Sequence, residues 1–279
     1  MAGTYLDAIL ARHRAAAAAD RRDVGGLVSA AEAMAPARGF EASLARRSGA
    51  GRLAVIAEVK RRSPSKGDLD PSLDPAAVAR EYAAGGACCL SVLTDADHFG
   101  GSPRDLAVAR GAVTLPVLRK DFTVCPADVA DARLMGADAV LLIVAALPGA
   151  ELPELLGLAR RVGIDALVEV HDERELERTL QAGATLVGVN QRDLVTFEVD
   201  TGRAARLAAS VPEGVVAVAE SGIAGPDDAA RVAAAGYDAV LVGESLVRSP
   251  DRRAAAAALA EVATRGRASR SPATTGQQP

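Results

Sequence analysis

A chain of 279 residues that is 49% hydrophobic has core material for one large domain or two small ones, which excludes a wholly disordered chain or a small stapled scaffold. Its formal charge of −4 at pH 7 excludes a general basic field for nucleic acid or phosphate, so any anion site must be local. Three cysteines, two of them adjacent at Cys88 and Cys89, form no spaced framework, and no apolar run reaches the roughly 18 residues of a membrane span.

The first predicted element is a helix over residues 4–19, where Leu6, Ile9 and Leu10 recur at helical spacing and run into a series of alanines. Charges are mixed through its apolar positions, so it lacks a signal peptide's apolar block, and the chain reads as a soluble cytoplasmic protein with free thiols. Further helix is predicted within 24–46, and no strand before residue 53.

From there the texture changes. Short Val/Ile/Leu-rich runs at 53–60, 87–93, 116–120, 138–144, 165–170, 185–190, 215–219 and 239–243 alternate with helical segments. Most are too apolar to have one wet face, the pattern of a parallel sheet covered by helices. Pro75, Pro126 and Pro226 fall near helix starts, and Gly85, Gly136, Gly183 and Gly236 near helix stops. Those glycines belong to similar phrases, AGGACCLSV, MGADAVLLI, AGATLVGVN and AGYDAVLVG, about fifty residues apart and ahead of every second strand. Four double βα units predict an α/β fold: a single closed (βα)8 TIM barrel over 51–264, with 1–50 as a helical extension. An open doubly wound sheet is the alternative, but eight parallel strands with right-handed crossovers close more naturally. A last helix is predicted from Pro250 to Ala263, and 265–279 has the polar composition of a disordered tail.

In such a barrel the chemistry collects at the C-terminal ends of the strands. Those ends carry Glu58 and Lys60; Thr94 and Asp95; Lys120 and Asp121; Glu169; Asn190 and Arg192; Glu220, Ser221 and Gly222; Gly243 and Glu244. Each alone could be a rim ion pair. Lysines and glutamates converging from separate strands shift one another's pKa values, which is how proton-transfer groups are tuned. The turns AESGI and LVGES follow the last two strands, where this fold often binds phosphate through backbone N–H groups. Glu244 could contribute only its N–H. His13, His98 and His171 are scattered without metal-ligand spacing, and no Walker or dinucleotide fingerprint is present. His171 follows Glu169 closely enough to orient it, or to cap the next helix. The residues alone support a cofactor-free acid–base enzyme acting on a phosphorylated small molecule, with no metal, nucleic acid or membrane partner.

The segments IAEVKRRSPSKG, LSVLTDADHFGGS, PVLRKDF, ADAVLLI, LVEVH, GVNQRDLVTFEVD, AESGI and VGESLVR closely resemble the indole-3-glycerol phosphate synthase family, in order and on matching strands, from Tyr5 to Arg248. The resemblance implies ring closure, decarboxylation and dehydration of 1-(2-carboxyphenylamino)-1-deoxyribulose 5-phosphate to indole-3-glycerol phosphate, in tryptophan biosynthesis. It implies Lys120 as the general acid that polarises the substrate ketone. Lys60 would pair with the substrate carboxylate or phosphate and give a proton in the dehydration. Glu58 and Glu169 are the carboxylates that stabilise the cationic intermediate and remove protons, with the division between them open. Asn190 and Ser221 would position the substrate.

Ser63, Arg192, Glu220, Gly222, Gly243 and Glu244 complete the expected binding set. Phe99 and Phe122, with Leu141, Ile143 and Leu194, would wall the aromatic end, the aliphatic three being equally readable as barrel core. By resemblance the helical preamble crosses the barrel mouth, and a plug at the barrel bottom is the alternative for part of it. Two positions depart from the family pattern: TVCPADVADAR after Phe122 lacks the usual aromatic and amide residues, and Gln191 stands where a second Asn is usual. Neither touches the proton-transfer set. Another phosphate-binding barrel of tryptophan or histidine biosynthesis has no reason to carry the Glu58-x-Lys60…SPSKG stretch. A catalytically silent barrel predicts loss of Lys60, Lys120 or Glu169, and all are present.

Overall fold

The computed structural model describes residues 4–265. Eight parallel strands close into a barrel: β1 (Ala54–Val59), β2 (Cys89–Leu93), β3 (Val117–Lys120), β4 (Ala139–Ile143), β5 (Asp165–Val170), β6 (Leu186–Asn190), β7 (Val216–Glu220) and β8 (Ala239–Val242). β1 pairs with both β2 and β8, so the open-sheet alternative is excluded. The strands are apolar throughout because helices cover their outer faces and side chains fill the interior.

Three helices precede the barrel: α1 (Tyr5–Ala19), α2 (Val24–Glu32) and α3 (Phe40–Gly49). Those after β1 are α4 (Pro75–Ala84), α5 (Ala96–Phe99), α6 (Pro103–Ala112), α7 (Pro126–Leu134), α8 (Glu151–Arg161), α9 (Glu173–Gln181), α10 (Arg203–Ala208), α11 (Pro226–Ala235), α12 (Glu244–Val247) and α13 (Arg252–Ala260). Pro75, Pro126 and Pro226 each open a helix, where a missing N–H costs nothing.

The preamble is divided between the two ends of the barrel. α1 starts at a Thr4–Asp7 capping box and lies over the mouth. There His13 Nε2 meets Asp95 Oδ2 at 3.2 Å, and Arg14 donates to the Ala146 carbonyl at 2.8 Å and to Glu151 at 2.7 Å. α3 closes the opposite end. The Arg38 N–H donates to Asp138 at 2.9 Å, the Glu41 N–H to Asp165 at 2.8 Å, and the Ser48 hydroxyl to Asp238 at 2.6 Å. These aspartates stand at the starts of β4, β5 and β8, and two of them come from the repeated phrases GADAV and GYDAV. Phe40 and Leu44 are fully buried beneath, each contributing about 1.5–3 kcal/mol.

Two local features differ from the expected elements. The last helix ends at Ala260 rather than Ala263, because the chain then extends: the Leu53 N–H donates to the Val262 carbonyl at 2.8 Å, and Arg52 bridges Ala263 ahead of β1. The SPSK loop is a small hairpin, Arg62–Ser63 against Gly67–Asp68. Of the expected tail at 265–279, all but Arg265 lies outside the described residues.

Candidate active site

Side chains alternate along a strand, so residues two apart share a face. That periodicity aims Glu58 of β1 and Lys60 just past its end, Lys120 of β3, Glu169 of β5, Asn190 of β6 and Glu220 of β7 into one cavity of about 950 Å³ at the C-terminal ends of the strands. Ser221, Gly222, Gly243, Glu244 and Ser63 also line it. Every residue of the expected catalytic and binding set borders this cavity, and of the other strand-end residues Asp95 and Asp121 do while Thr94 does not.

Two ion-pair systems meet there. The Lys60 ammonium donates to Glu58, whose other oxygen lies 3.4 Å from the Ser91 hydroxyl. The Lys120 ammonium donates to Glu169 Oε2 at 2.7 Å and to Glu220 Oε2 at 3.0 Å, while Asn190 Nδ2 donates to Glu169 Oε1 at 3.0 Å. Glu169 and Glu220 are almost wholly buried, and an ionised carboxylate is tolerated there only with such partners.

The two carboxyls differ electrostatically. Burial would raise Glu169, but the Lys120 ammonium, His171 and the Asn190 amide outweigh it and hold its pKa at about 2. Burial pushes Glu220 up to about 7, with Lys120 opposing and the Glu169 charge reinforcing the rise. Burial disfavours the charged form of Lys120, yet Glu169, Glu220 and Glu58 hold it above the ordinary lysine value. The cluster therefore sets an ammonium and a carboxylate held in their charged forms beside a carboxyl whose hold on its proton is strengthened, an arrangement able to give and recover a proton.

Glycines admit these groups. A Cβ on Gly243 would collide with Glu58 Oε1, and one on Gly188 with Glu220 Oε1. The AESG turn is strained at Ser221, a non-glycine residue with φ of 63°, whereas Gly222 adopts φ of 70° freely. Gln191 braces it, donating from Nε2 to the Ser221 carbonyl at 2.8 Å. The Ser245 hydroxyl donates to the Ile223 carbonyl at 2.9 Å and so ties the turns after β7 and β8 together.

The apolar side of the cavity is formed by Phe99, Phe122, Leu141, Ile143 and Leu194, with the two phenyl centroids 6.4 Å apart. Arg192 borders the cavity, but its guanidinium donates to the Phe197 carbonyl at 3.0 Å. The Glu244 carboxylate faces Arg248 at 3.9 Å.

Sequence reasoning passes over several lining residues. Lys66, Phe197 and Arg248 also border the cavity, on loops and a short turn of helix where no periodicity reveals direction. Arg119 links Thr94 and Asp121 beside the mouth, at 3.2 and 3.1 Å. Histidines scattered in the sequence converge here: Asp95 lies between His13 and His98, each at 3.2 Å. His13, Asp95 and Asp121 are close enough together to hold a metal ion. Their carboxylates are already engaged by these imidazoles, Arg119 and Thr94.

Comparison with known proteins agrees with this geometry. The family model for indole-3-glycerol phosphate synthase matches residues 6–259. The chain is 55% identical over 225 residues to indole-3-glycerol phosphate synthase 2 of Streptomyces coelicolor, covering 81% of this chain and 86% of the relative. It is 50% identical over 262 residues to the indole-3-glycerol phosphate synthase of Mycobacterium ulcerans, covering 94% and 95%. Among solved structures, a thiamine phosphate pyrophosphorylase from Pyrococcus furiosus superposes with a TM-score of 0.59 at 20% identity, covering 78% of this chain and 96% of that one, a likeness of fold alone. With a match spanning nearly the whole chain and the acid–base cluster in place, this chain belongs to the indole-3-glycerol phosphate synthase family.

Proposed function

We propose that this chain converts 1-(2-carboxyphenylamino)-1-deoxyribulose 5-phosphate to indole-3-glycerol phosphate through the Lys120 and Lys60 ion-pair systems. The observation that carries the assignment of roles is the Lys120 ammonium bridging two buried carboxylates, 2.7 Å from Glu169 and 3.0 Å from Glu220. As an anthranilate ring carbon attacks the substrate ketone, Lys120 gives its proton to the oxygen that gains charge. Glu220, whose hold on a proton is strengthened by burial, is placed to return that proton. The new ring carries positive charge until carbon dioxide leaves, and the firmly ionised Glu169 lies where it can stabilise that charge. Loss of the hydroxyl as water and removal of the ring proton then restore aromaticity. Lys60, paired with Glu58 in the same cavity, is the donor for the departing hydroxyl, and Glu58 and Glu169 are the candidate proton acceptors.

The phosphate is assigned to the N–H groups of the Gly222 and Gly243 turns, with Lys66, Arg192 and Arg248 as nearby positive charges. The anthranilate ring goes to the wall of Phe99, Phe122, Leu141, Ile143 and Leu194. In this reading 51–264 is the catalytic barrel and 1–50 its extension, and the enzyme works in the cytoplasm; no helix among the described residues is long and apolar enough to cross a membrane. The test is direct: purified protein given the ribulose phosphate substrate is expected to generate indole fluorescence and one carbon dioxide per indole formed. Neither signal, or fluorescence without carbon dioxide, contradicts the assignment.

A further inference from the structure

One partly buried titratable side chain reaches the acid–base cluster from behind the cavity wall. His171 stands in the turn between β5 and α9 and does not border the cavity. Its Nδ1 lies 3.1 Å from Glu175 Oε2, and its backbone N–H donates to the same oxygen at 2.8 Å, so Glu175 fixes both the turn and the ring. The other ring nitrogen, Nε2, is buried without a closer hydrogen-bond partner and lies 3.5 Å from Glu169 Oε1. Lys120 and Asn190 hold Glu169 on its other sides.

From these positions we infer that His171 is a positioning residue for ring closure, its imidazolium holding the Glu169 carboxylate in the orientation and charge state that the reaction uses. The inference rests on Glu169 being a working carboxylate. A neutral imidazole that donates from Nδ1 to Glu175 turns the Nε2 lone pair toward Glu169 and repels it. A protonated ring donates from both nitrogens and satisfies both carboxylates. Burial, and Arg203 from α10, disfavour the charged ring; Glu175 on α9 and Glu169 on β5 favour it and prevail, so its pKa lies above the ordinary histidine value. Lys120 and Glu220 lie beyond Glu169 and complete the set of charges facing the ring. Loss of the imidazolium proton at rising pH therefore removes one of the three groups that hold Glu169.

His171→Phe keeps a ring but removes both nitrogens, and is expected to lower kcat about tenfold with KM within about twofold. His171→Gln, with an amide N–H directed toward Glu169, is expected to recover part of that loss and to flatten the fall in kcat at high pH. Glu175→Gln leaves the ring in place and is expected to move that fall to lower pH. NMR titration of the His171 ring carbons reads the same coupling without turnover: the ring is expected to titrate above about 6.5 in the wild type, and lower in both Glu175→Gln and Glu169→Gln. A His171→Phe kcat within about twofold of wild type, or a ring that titrates at the ordinary value and ignores Glu169→Gln, overturns the inference. A wild-type rate in Glu169→Gln with the ring still coupled instead overturns the role given to Glu169, and the inference with it.

Discussion

The Glu220 carboxylate occupies the space that Gly188 leaves open on the neighbouring strand. A Cβ on Gly188 would collide with Glu220 Oε1 and lie 3.2 Å from both Glu220 Cδ and Leu167 Cδ1. Gly188→Ala is therefore expected to push Glu220 off Lys120, lowering kcat at least tenfold for a stability cost of about 1–3 kcal/mol. Kinetics beside a thermal melt check this; unchanged kcat with a normal melt would show that the carboxylate can relax elsewhere.

Glu220 also predicts a pH-dependent stability. Its carboxyl titrates at about 7 in the folded chain against an ordinary value of 4.5, so between those values the folded state binds the extra proton. The favourable contribution is complete below the ordinary value and is lost as pH rises to about 7. Glu220→Gln is neutral throughout and escapes that loss. Its stability relative to wild type is expected to improve from pH 5 to pH 8 by up to about 3 kcal/mol, read by denaturant titration at both pH values. A relative stability that is constant, or moves toward wild type, argues against the raised carboxyl.

The two candidate carboxylates separate by mutation. Glu169→Gln is expected to cut turnover by about a hundredfold, since it removes the charge beside Lys120 while keeping the shape. A rate near wild type would move the carboxylate role to Glu58, and Glu58→Gln in the same assay would then show the large loss.

α1 is held over the mouth by charge as well as packing. Asp95 joins His13 of α1 to His98 of α5, and the Tyr5 ring packs edge-on against His98 and Phe197 at 5.7 and 5.1 Å. Asp95→Asn is expected to raise hydrogen exchange in α1 about tenfold or more while the barrel strands stay protected. Equal protection in both proteins would show that Arg14 and the aromatic contacts suffice.

The barrel can be read from the sequence because its strands are covered on both faces, which leaves apolar runs, and because their polar residues crowd at one end. β7 continues to Glu220, one residue past the predicted boundary, and so carries that carboxyl into the cluster. The Lys120–Glu169 pairing is different in kind: residues 49 apart meet only because closure brings β3 and β5 to one rim. The sequence offers both ends of the barrel to the preamble but does not say which helix goes to which, since α1 and α3 carry the same helical pattern. Their destinations depend on Asp95 at the mouth and on Asp138, Asp165 and Asp238 at the base. Gly188 reads as an ordinary strand glycine until Glu220 is seen lying over it. The engagement of Arg192 with Phe197 belongs to loop geometry that no period encodes.

The central claim is that Lys120 delivers the proton that closes the ring. Lys120→Met, assayed by indole fluorescence and by equilibrium binding of an unreactive substrate analogue, tests it most directly. The expected result is a loss of turnover of about a thousandfold or more with analogue affinity within about fivefold of wild type. Turnover within about tenfold of wild type would contradict it and remove Lys120 as the acid.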